Sequence, residues 1–133
     1  MDEILKYIIQ YCSFLYKDKE FNFIDSAVSS SFGGDAYLIL SDKMLNLRFL
    51  SDRGQLFLEF QSHSDDCWYS IDLIRHLLRP EEKKYYSLLN EENAVFLKQY
   101  FFEIKDCFSD KEYNITKSKL KVIMSKRAKY LFG

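Results

Sequence analysis

The stretch LNLRFLSDRGQLFLEF, residues 45–60, contains the strongest structural signal in the chain. Apolar residues occupy alternate positions on both sides of its centre: Leu45, Leu47, Phe49, Leu56, Leu58 and Phe60. An apolar residue at every second position is typical of a β-strand with one buried face. Because only the short segment Asp52-Arg53-Gly54 interrupts the alternation, the stretch predicts two antiparallel strands joined by a tight turn.

The tip of this hairpin carries one charged side chain whose direction the sequence leaves open. Gly54 can adopt the positive φ that short hairpin turns require. Arg53 then either extends outward towards a partner or turns back onto a carboxylate such as Asp25 or Asp52. The first alternative makes Arg53 a binding residue, and the second makes it a structural one.

Further strands are predicted on both sides of the hairpin. They cover residues 21–28 and 36–40, with a fifth short strand at 68–71. The segments between strands are short and polar: residues 29–35, 41–43 and 63–66. Because short connections join neighbouring antiparallel strands, the sheet is predicted to be an antiparallel meander of four or five strands.

Helical periodicity precedes and follows the strands. An N-terminal helix is predicted from the spacing of Ile4, Ile8, Tyr11 and Leu15. A later helix is predicted from Asp72 to Leu78. A second begins at Asn90 or Glu91, with an apolar face formed by Ala94, Leu97, Phe101, Ile104 and Phe108. A last helix follows Asn114, and its apolar face consists of Leu120, Ile123, Met124, Ala128 and Leu131. Residues 81–89 are predicted to add a further turn or two. Because strands and helices are grouped separately, we predict an α+β fold in one domain, residues 1–133, with the C-terminal helices packed on the sheet.

The composition predicts a compact, cytoplasmic protein. Aromatic residues make up 17% of the 133 residues, with only 4 Gly and 1 Pro. No apolar run approaches the ~20 residues that span a bilayer, and Met1-Asp2-Glu3 lacks the cationic start of a signal peptide. The three cysteines, Cys12, Cys67 and Cys107, match no metal or redox spacing, so they are expected to be ordinary thiols in a reducing compartment.

The charges are distributed unevenly along the chain. Residues 1–66 carry 6 Lys or Arg and 11 Asp or Glu, and residues 67–112 carry 7 and 9. Residues 113–133 carry 6 basic residues and no acidic one. Such asymmetry is typical of a partner-binding face or of a solvated basic helix.

Two polar segments resemble known sites only in part. Gly33-Gly34 precedes a predicted strand and lacks a following Lys-Ser or Lys-Thr, so it is interpreted as a loop and not as a phosphate-binding turn. His63, Asp65, Asp66 and Cys67 form the densest group of possible metal ligands, but a second ligand cluster is missing. Neither segment predicts a bound group.

Catalytic chemistry is equally unsupported by the sequence. Asp72, Arg75 and His76 fall on one helix face, where an ion pair at the surface is the simplest interpretation. With two histidines and no Ser-His-Asp or Cys-His signature, a hydrolase is not indicated. The sequence therefore predicts a protein that is not an enzyme and that has no cofactor and no metal.

The aromatic pair Trp68-Tyr69 follows two carboxylates. An aromatic pair with an acidic rim has the composition of a binding hot spot. The alternative, and the simpler interpretation, is that Trp68 is a core residue of the last strand.

Three stretches carry a family resemblance: DSAVSSSFGGDAYLIL (25–40), LRFLSDRGQLFLEF (47–60) and WYSIDLIRHLL (68–78). Together they resemble small bacterial immunity proteins of the kind encoded beside polymorphic toxins or contact-dependent growth inhibition toxins. The resemblance implies a protein that binds a cognate toxin domain in the cytoplasm and neutralises it without catalysis. Many such toxins are nucleases with basic clefts, which an acidic surface would complement.

The acidic half of the chain supplies the expected binding surface. Its carboxylates are Asp25, Asp35, Asp42, Asp52, Glu59, Asp65 and Asp66. The partner-binding residues that we predict are Asp35, Asp52, Arg53, Glu59, Asp65, Asp66, Trp68 and Tyr69. In this interpretation neither a membrane nor a nucleic acid is a partner.

A second interpretation depends on the C-terminal segment. Its basic residues are Lys117, Lys119, Lys121, Lys126, Arg127 and Lys129, and Tyr130 and Phe132 lie beside them. This pattern is typical of a small regulatory or nucleic-acid-associated protein that binds through a basic helix. The acidic first half of the chain weighs against it.

Overall fold

The computed structural model describes residues 1–29, 35–82 and 84–132, and side chains up to Tyr130. The elements are α1 (Asp2–Tyr11), α2 (Phe14–Lys17), β1 (Asn22–Val28), β2 (Ala36–Ser41), β3 (Leu45–Asp52), β4 (Gln55–Ser62), β5 (Tyr69–Ser70), α3 (Ile71–Leu78), α4 (Glu91–Gln99), α5 (Phe101–Cys107) and α6 (Tyr113–Phe132). The predicted α+β fold is confirmed, with an N-terminal helix, a five-stranded antiparallel sheet and C-terminal helices. Most of the predicted loop 29–35, including Gly33-Gly34, lies outside the described residues.

The sheet is the predicted meander, with the strands in the order β1-β2-β3-β4-β5. Its inward side chains are fully or almost fully buried: Leu38, Leu40, Leu45, Leu47, Phe49, Leu58 and Phe60. They pack in one core with residues from the helices, among them Ile4, Ile8, Ile74, Leu97, Ile104 and Leu120. The helices therefore cover one face of the sheet.

The hairpin turn between β3 and β4 has two residues, because Asp52 pairs with Gln55. Arg53 has a φ of 52° and Gly54 a φ of 80°, so both central residues are left-handed, as a type I′ turn requires. The sequence predicts positive φ for Gly54 but carries no signal for positive φ at Arg53. The backbone N–H of Arg53 donates to Oδ1 of Asp35 at 3.1 Å, which ties the turn to the start of β2.

The N-terminal helix is shorter than predicted. It ends at Tyr11, and Leu15 lies in the separate four-residue helix α2. Tyr11 is half-buried against the core, whereas Tyr7 is buried, and the Tyr7 hydroxyl donates to the Asn90 carbonyl at 2.6 Å. This long-range bond draws the helix face towards the start of α4.

The two edges of the sheet differ in their exposure. β5 pairs with one end of β4, and a bridge between Leu88 and Phe57 covers the other end. At the opposite edge, all seven residues of β1 are exposed, and a bulge lies between Phe23 and Asp25. In the described part of the chain, no strand pairs with the outer side of β1.

The predicted helix over residues 90–108 consists of two helices that meet at Tyr100. The side chain of Asn90 accepts from the N–H of Asn93 at 2.9 Å and caps the first of them, as the sequence suggested. Helix α6 is present as predicted, but its buried face is shorter. Leu120 is buried and Ile123 half-buried, whereas Met124 and Ala128 are exposed.

An ion pair between Arg127 and Asp72 holds the later part of α6 on α3. Nη1 of Arg127 lies 2.6 Å from Oδ2 of Asp72, which is buried and also contacts the Ser70 hydroxyl. Arg75 does not pair with Asp72 but with Glu82, at 2.7 Å. The predicted surface ion pair within α3 is therefore wrong, because both charged residues bind partners outside the helix.

His76 completes this contact between α3 and α6. Its ring stacks on Tyr85 at 4.4 Å, and Nδ1 lies 3.3 Å from Nη2 of Arg127. Burial lowers the pKa of His76, and the charges of Arg127 and Lys126 lower it further, while Asp72 opposes them. Neutral His76 can accept a hydrogen bond from Arg127, whereas protonated His76 would repel it.

We expect the substitution Gly54→Ala to destabilise the protein by about 1 kcal/mol. An added Cβ meets no heavy atom within 4 Å, so the cost comes from the left-handed backbone alone. Arg53→Asn is the matched control, since asparagine tolerates this conformation and should leave the protein at least as stable. Thermal and denaturant unfolding measure both effects, and a Gly54→Ala variant as stable as wild type would contradict the turn assignment.

We expect stability to fall as the pH drops below the ordinary His value of about 6.5. The pKa of His76 is lowered in the folded protein, so the unfolded chain takes up the proton first and gains stability relative to the folded state. Urea unfolding at pH 7.5, 6.5 and 5.5 measures this loss. The substitution His76→Gln should reduce it, whereas His63→Gln serves as the control, and an unchanged pH dependence in His76→Gln argues against the effect.

Candidate partner-binding surface

The second face of the sheet, which we call the open face, carries no helix among the described residues, and its composition is regular. Strand pairing arranges its outward side chains in rows that cross the strands. The first row is apolar and consists of Ala27, Tyr37, Leu50, Phe57 and Leu88. We call these five residues the apolar row. All of them are half-buried or exposed, so an apolar strip crosses β1 to β4 on their solvent side and ends at Leu88.

The second row is charged and lies directly beside the first. It consists of Asp25, Ile39, Arg48, Glu59 and Ser70. Nη2 of Arg48 lies 2.6 Å from Oε1 of Glu59 on the neighbouring strand, and Nε lies 3.0 Å from the same oxygen. At the edge of the row, the Tyr37 hydroxyl donates to Asp25 at 3.1 Å.

Trp68 packs over this row. The guanidinium carbon of Arg48 lies 4.1 Å from the centroid of the Trp68 ring, a distance suited to a cation–π contact. Trp68 is half-buried on the open face, so the simpler interpretation, that it is a core residue, is wrong. The core position belongs instead to Tyr69, which is 3% exposed.

A polar network forms the third row. The Asn46 amide donates to Gln61 at 2.8 Å across the strands, and the Ser41 hydroxyl donates to Asn46 at 2.6 Å. Nε2 of His63 lies 2.9 Å from Ser41 and 3.0 Å from Asn46. These bonds hold the exposed His63 against β2 and β3. Among the described residues, no group of three or more His, Cys, Asp and Glu could hold a metal ion.

The hairpin tip forms the opposite rim of the apolar row. The side chain of Arg53 is 90% exposed and that of Asp52 is 62% exposed, with Nε 4.0 Å from Oδ1. The Arg53 side chain therefore points outward, and the structural role at this position belongs to the Arg53 backbone, whose N–H donates to Asp35. The structure thus places Asp35, Asp52 and Arg53 together at one end of the open face.

Three of the seven acidic candidates, Asp42, Glu59 and Asp65, form ion pairs at 2.7 Å or less within the protein. Asp42 accepts from the backbone of Met44 and Leu45 at 2.8 Å and lies 2.7 Å from Nζ of Lys105. Burial would raise the pKa of Asp42, but these bonds outweigh it and lower the pKa. Glu59 is paired with Arg48, so its charge is also compensated.

Asp65 is the third of these carboxylates and lies away from the apolar row. Its Oδ2 accepts from Nζ of Lys117 at 2.6 Å and from the Tyr113 hydroxyl at 2.8 Å, both on α6. These two bonds lower the pKa of Asp65 well below its ordinary value. Asp65 therefore anchors α6, and its placement on a free binding surface is not supported by the geometry.

The predicted partner-binding residues thus separate into two groups. The open face brings together Asp35, Asp52, Arg53, Glu59 and Trp68. Asp66 is exposed but belongs to the 63–66 segment beside α6, and the buried Tyr69 is not accessible to a partner. The structure corrects the prediction for Tyr69, because its ring lies against Phe108 in the core.

Sequence reasoning missed the apolar row itself. Tyr37, Leu50 and Phe57 occupy outward positions, where an alternating strand would carry polar residues. The signal that could have found them is this violation of alternation at the same register on three strands. No family model, no curated protein and no solved structure matches the chain.

Cys12 is a buried core residue. Burial raises the pKa of Cys12 to about 12, which makes this thiol unreactive. No helix in the described part of the chain has the length and apolar character needed to cross a membrane.

We expect the substitution Arg48→Met to destabilise the protein by about 1 kcal/mol, because it removes the pair with Glu59 and the contact with Trp68. Trp68 is the only tryptophan, so its fluorescence follows the same change, and we expect its emission to shift to longer wavelength. Arg53→Met is the matched control. Its free energy of unfolding, measured in urea, should fall by less than about 0.5 kcal/mol. Equal losses in the two variants would contradict the role of Arg48.

Proposed function

We propose that the protein is an immunity protein that binds a cognate toxin domain through the open face of its sheet. The apolar row is the observation that carries this proposal. A solvent-facing apolar strip with charged and polar rims has the composition of a protein–protein interface. The resemblance of the three sequence stretches to immunity proteins names the class of partner.

The aromatic residues on this face suit the role of anchors. Tyr37, Phe57 and Trp68 lie on the open face, and Arg48 is held beneath the Trp68 ring. Tyrosine, tryptophan and arginine are enriched among the residues that contribute most to binding energy. Because the Arg48–Glu59 pair fixes Trp68 in advance, little side-chain entropy would be lost on binding.

The charge around the apolar row indicates what the partner presents. Asp25 lies in the second row, and Asp35 and Asp52 lie at the hairpin rim. The carboxylates bound by Lys105, Arg48 and Lys117 are not free to contribute. We therefore expect the toxin surface to carry an apolar centre with basic residues opposite Asp25, Asp35 and Asp52, as a nuclease cleft could supply.

The experiment is binding to the toxin domain encoded by the adjacent upstream gene. We expect a one-to-one complex in calorimetry and survival of cells that express both proteins. The substitution Leu50→Asp places a charge in the centre of the apolar row and should weaken binding at least ~100-fold, or roughly 2.7 kcal/mol.

Val95→Asp is the matched control for this experiment, because Val95 is 57% exposed on α4 in the helix layer. We expect this variant to bind like wild type, and thermal unfolding checks that both variants fold. If the wild-type protein neither binds the toxin domain nor protects the cells that express it, the immunity function is refuted. Wild-type affinity in Leu50→Asp refutes the proposed surface alone.

A further inference from the structure

Helix α6 exposes a line of cationic and apolar side chains along one side. Residues 115, 119, 122, 126 and 129 are spaced by 4, 3, 4 and 3, so they share one helix face. They are Ile115, Lys119, Val122, Lys126 and Lys129, and all five are exposed. We call this line the basic stripe. Lys121 is also exposed, but it lies roughly 120° round the helix from the stripe at about 100° per residue.

Helix α6 carries more cationic side chains than the fold uses in ion pairs. Of the six cations after residue 112, Lys117 and Arg127 bind the carboxylates Asp65 and Asp72. Residues 113–133 contain no acidic residue. In the described part of the chain, Lys119, Lys121, Lys126 and Lys129 have no carboxylate within 4.0 Å. Four uncompensated positive charges therefore lie along the helix.

The arrangement favours a polyanion with closely spaced charges. From Lys119 to Lys129 the helix rises about 15 Å at ~1.5 Å per residue. Duplex DNA carries roughly nine phosphates over that length, at one per ~1.7 Å of axis. Several ammonium groups could therefore meet phosphates at the same time without any change in the helix.

Other anionic partners fit the stripe less well. A helix that binds at a membrane surface separates its apolar and charged faces, whereas Ile115 and Val122 share a face with the lysines. Lysine also pairs with single carboxylates, as Lys105 and Lys117 do in this protein, but a row of lysines suits the regular charge spacing of a phosphate backbone. Tyr130, 90% exposed near the end of the stripe, adds an aromatic ring beside the cations.

We propose that the basic stripe of α6 binds the phosphate backbone of nucleic acid. This site lies on the helix layer, away from the open face of the sheet, and it does not depend on the proposed immunity function. Its binding is independent of base sequence, because the stripe offers ammonium groups and no bidentate hydrogen-bonding side chain.

The test is fluorescence anisotropy with a labelled 20-base-pair DNA duplex at several salt concentrations. If about three phosphates are neutralised, the slope of log K against log salt is about −2.7, and affinity falls roughly 40-fold between 50 and 200 mM salt. Replacement of Lys119, Lys121, Lys126 and Lys129 by glutamine should abolish most of the binding and flatten this slope.

A second fourfold variant separates the stripe from net charge. Lys6, Lys17, Lys43 and Lys84 are exposed elsewhere on the surface, and their replacement by glutamine changes the net charge by the same amount. We expect this variant to retain most of the affinity. Equal losses in the two variants, or no salt-dependent binding by wild type at 50 mM salt, would overturn the proposal.

Polyglutamate serves as the competitor that tests for an acidic protein partner. We expect it to displace the labelled duplex far less well than unlabelled DNA at the same charge concentration. Equal displacement would overturn the assignment to nucleic acid. Circular dichroism and toxin binding of the stripe variant report on folding and on the immunity function separately.

Discussion

The register of the β3–β4 hairpin determines, for each residue of these two strands, whether its side chain faces the core or the solvent. A shift by one residue would exchange the two faces of a strand, so that Leu47 and Phe49 would meet solvent. The turn prevents this shift, because its two residues both have positive φ and no further residue separates Asp52 from its pairing partner Gln55. The buried core and the apolar row on the open face are thus two results of one constraint.

Local patterns predicted the strands and most of the helices, but not the breaks at Cys12 and Tyr100 or the tertiary partners, and the turn or two of helix predicted over 81–89 is absent from the described residues there. Alternation gave the strands, Gly54 gave the turn and Asn90 gave the start of α4, because each of these depends on neighbours in sequence. The binding of Asp65 by Lys117 joins residues 52 positions apart, and no periodicity encodes it. The break at Cys12 likewise depends on tertiary packing, because its side chain is fully buried in the core.

The uneven charge of the sequence acquires a structural explanation from three ion pairs. Asp42, Asp65 and Asp72 bind Lys105, Lys117 and Arg127, so acidic residues in or beside the sheet hold helices that follow later in the chain. The pair of Asp65 and Lys117 joins the acidic half to the basic end directly, whereas Asp42 and Arg127 each pair with a residue of the middle segment 67–112. Pairing between distant segments therefore accounts for part of the uneven charge. The charges left without an ion pair are fewer and lie in two places, the carboxylates near the hairpin rim and the lysines along α6.

Strand β1 has a consequence for how the protein can change over time. Its seven side chains are all exposed, so substitutions there remove little buried area and cost little stability. The strand nevertheless borders the open face and carries Asp25 and Ala27 into its first two rows. The part of the sheet that is freest to vary in sequence therefore adjoins the proposed binding surface. Its shape and charge can diverge between related chains while the folded core stays the same.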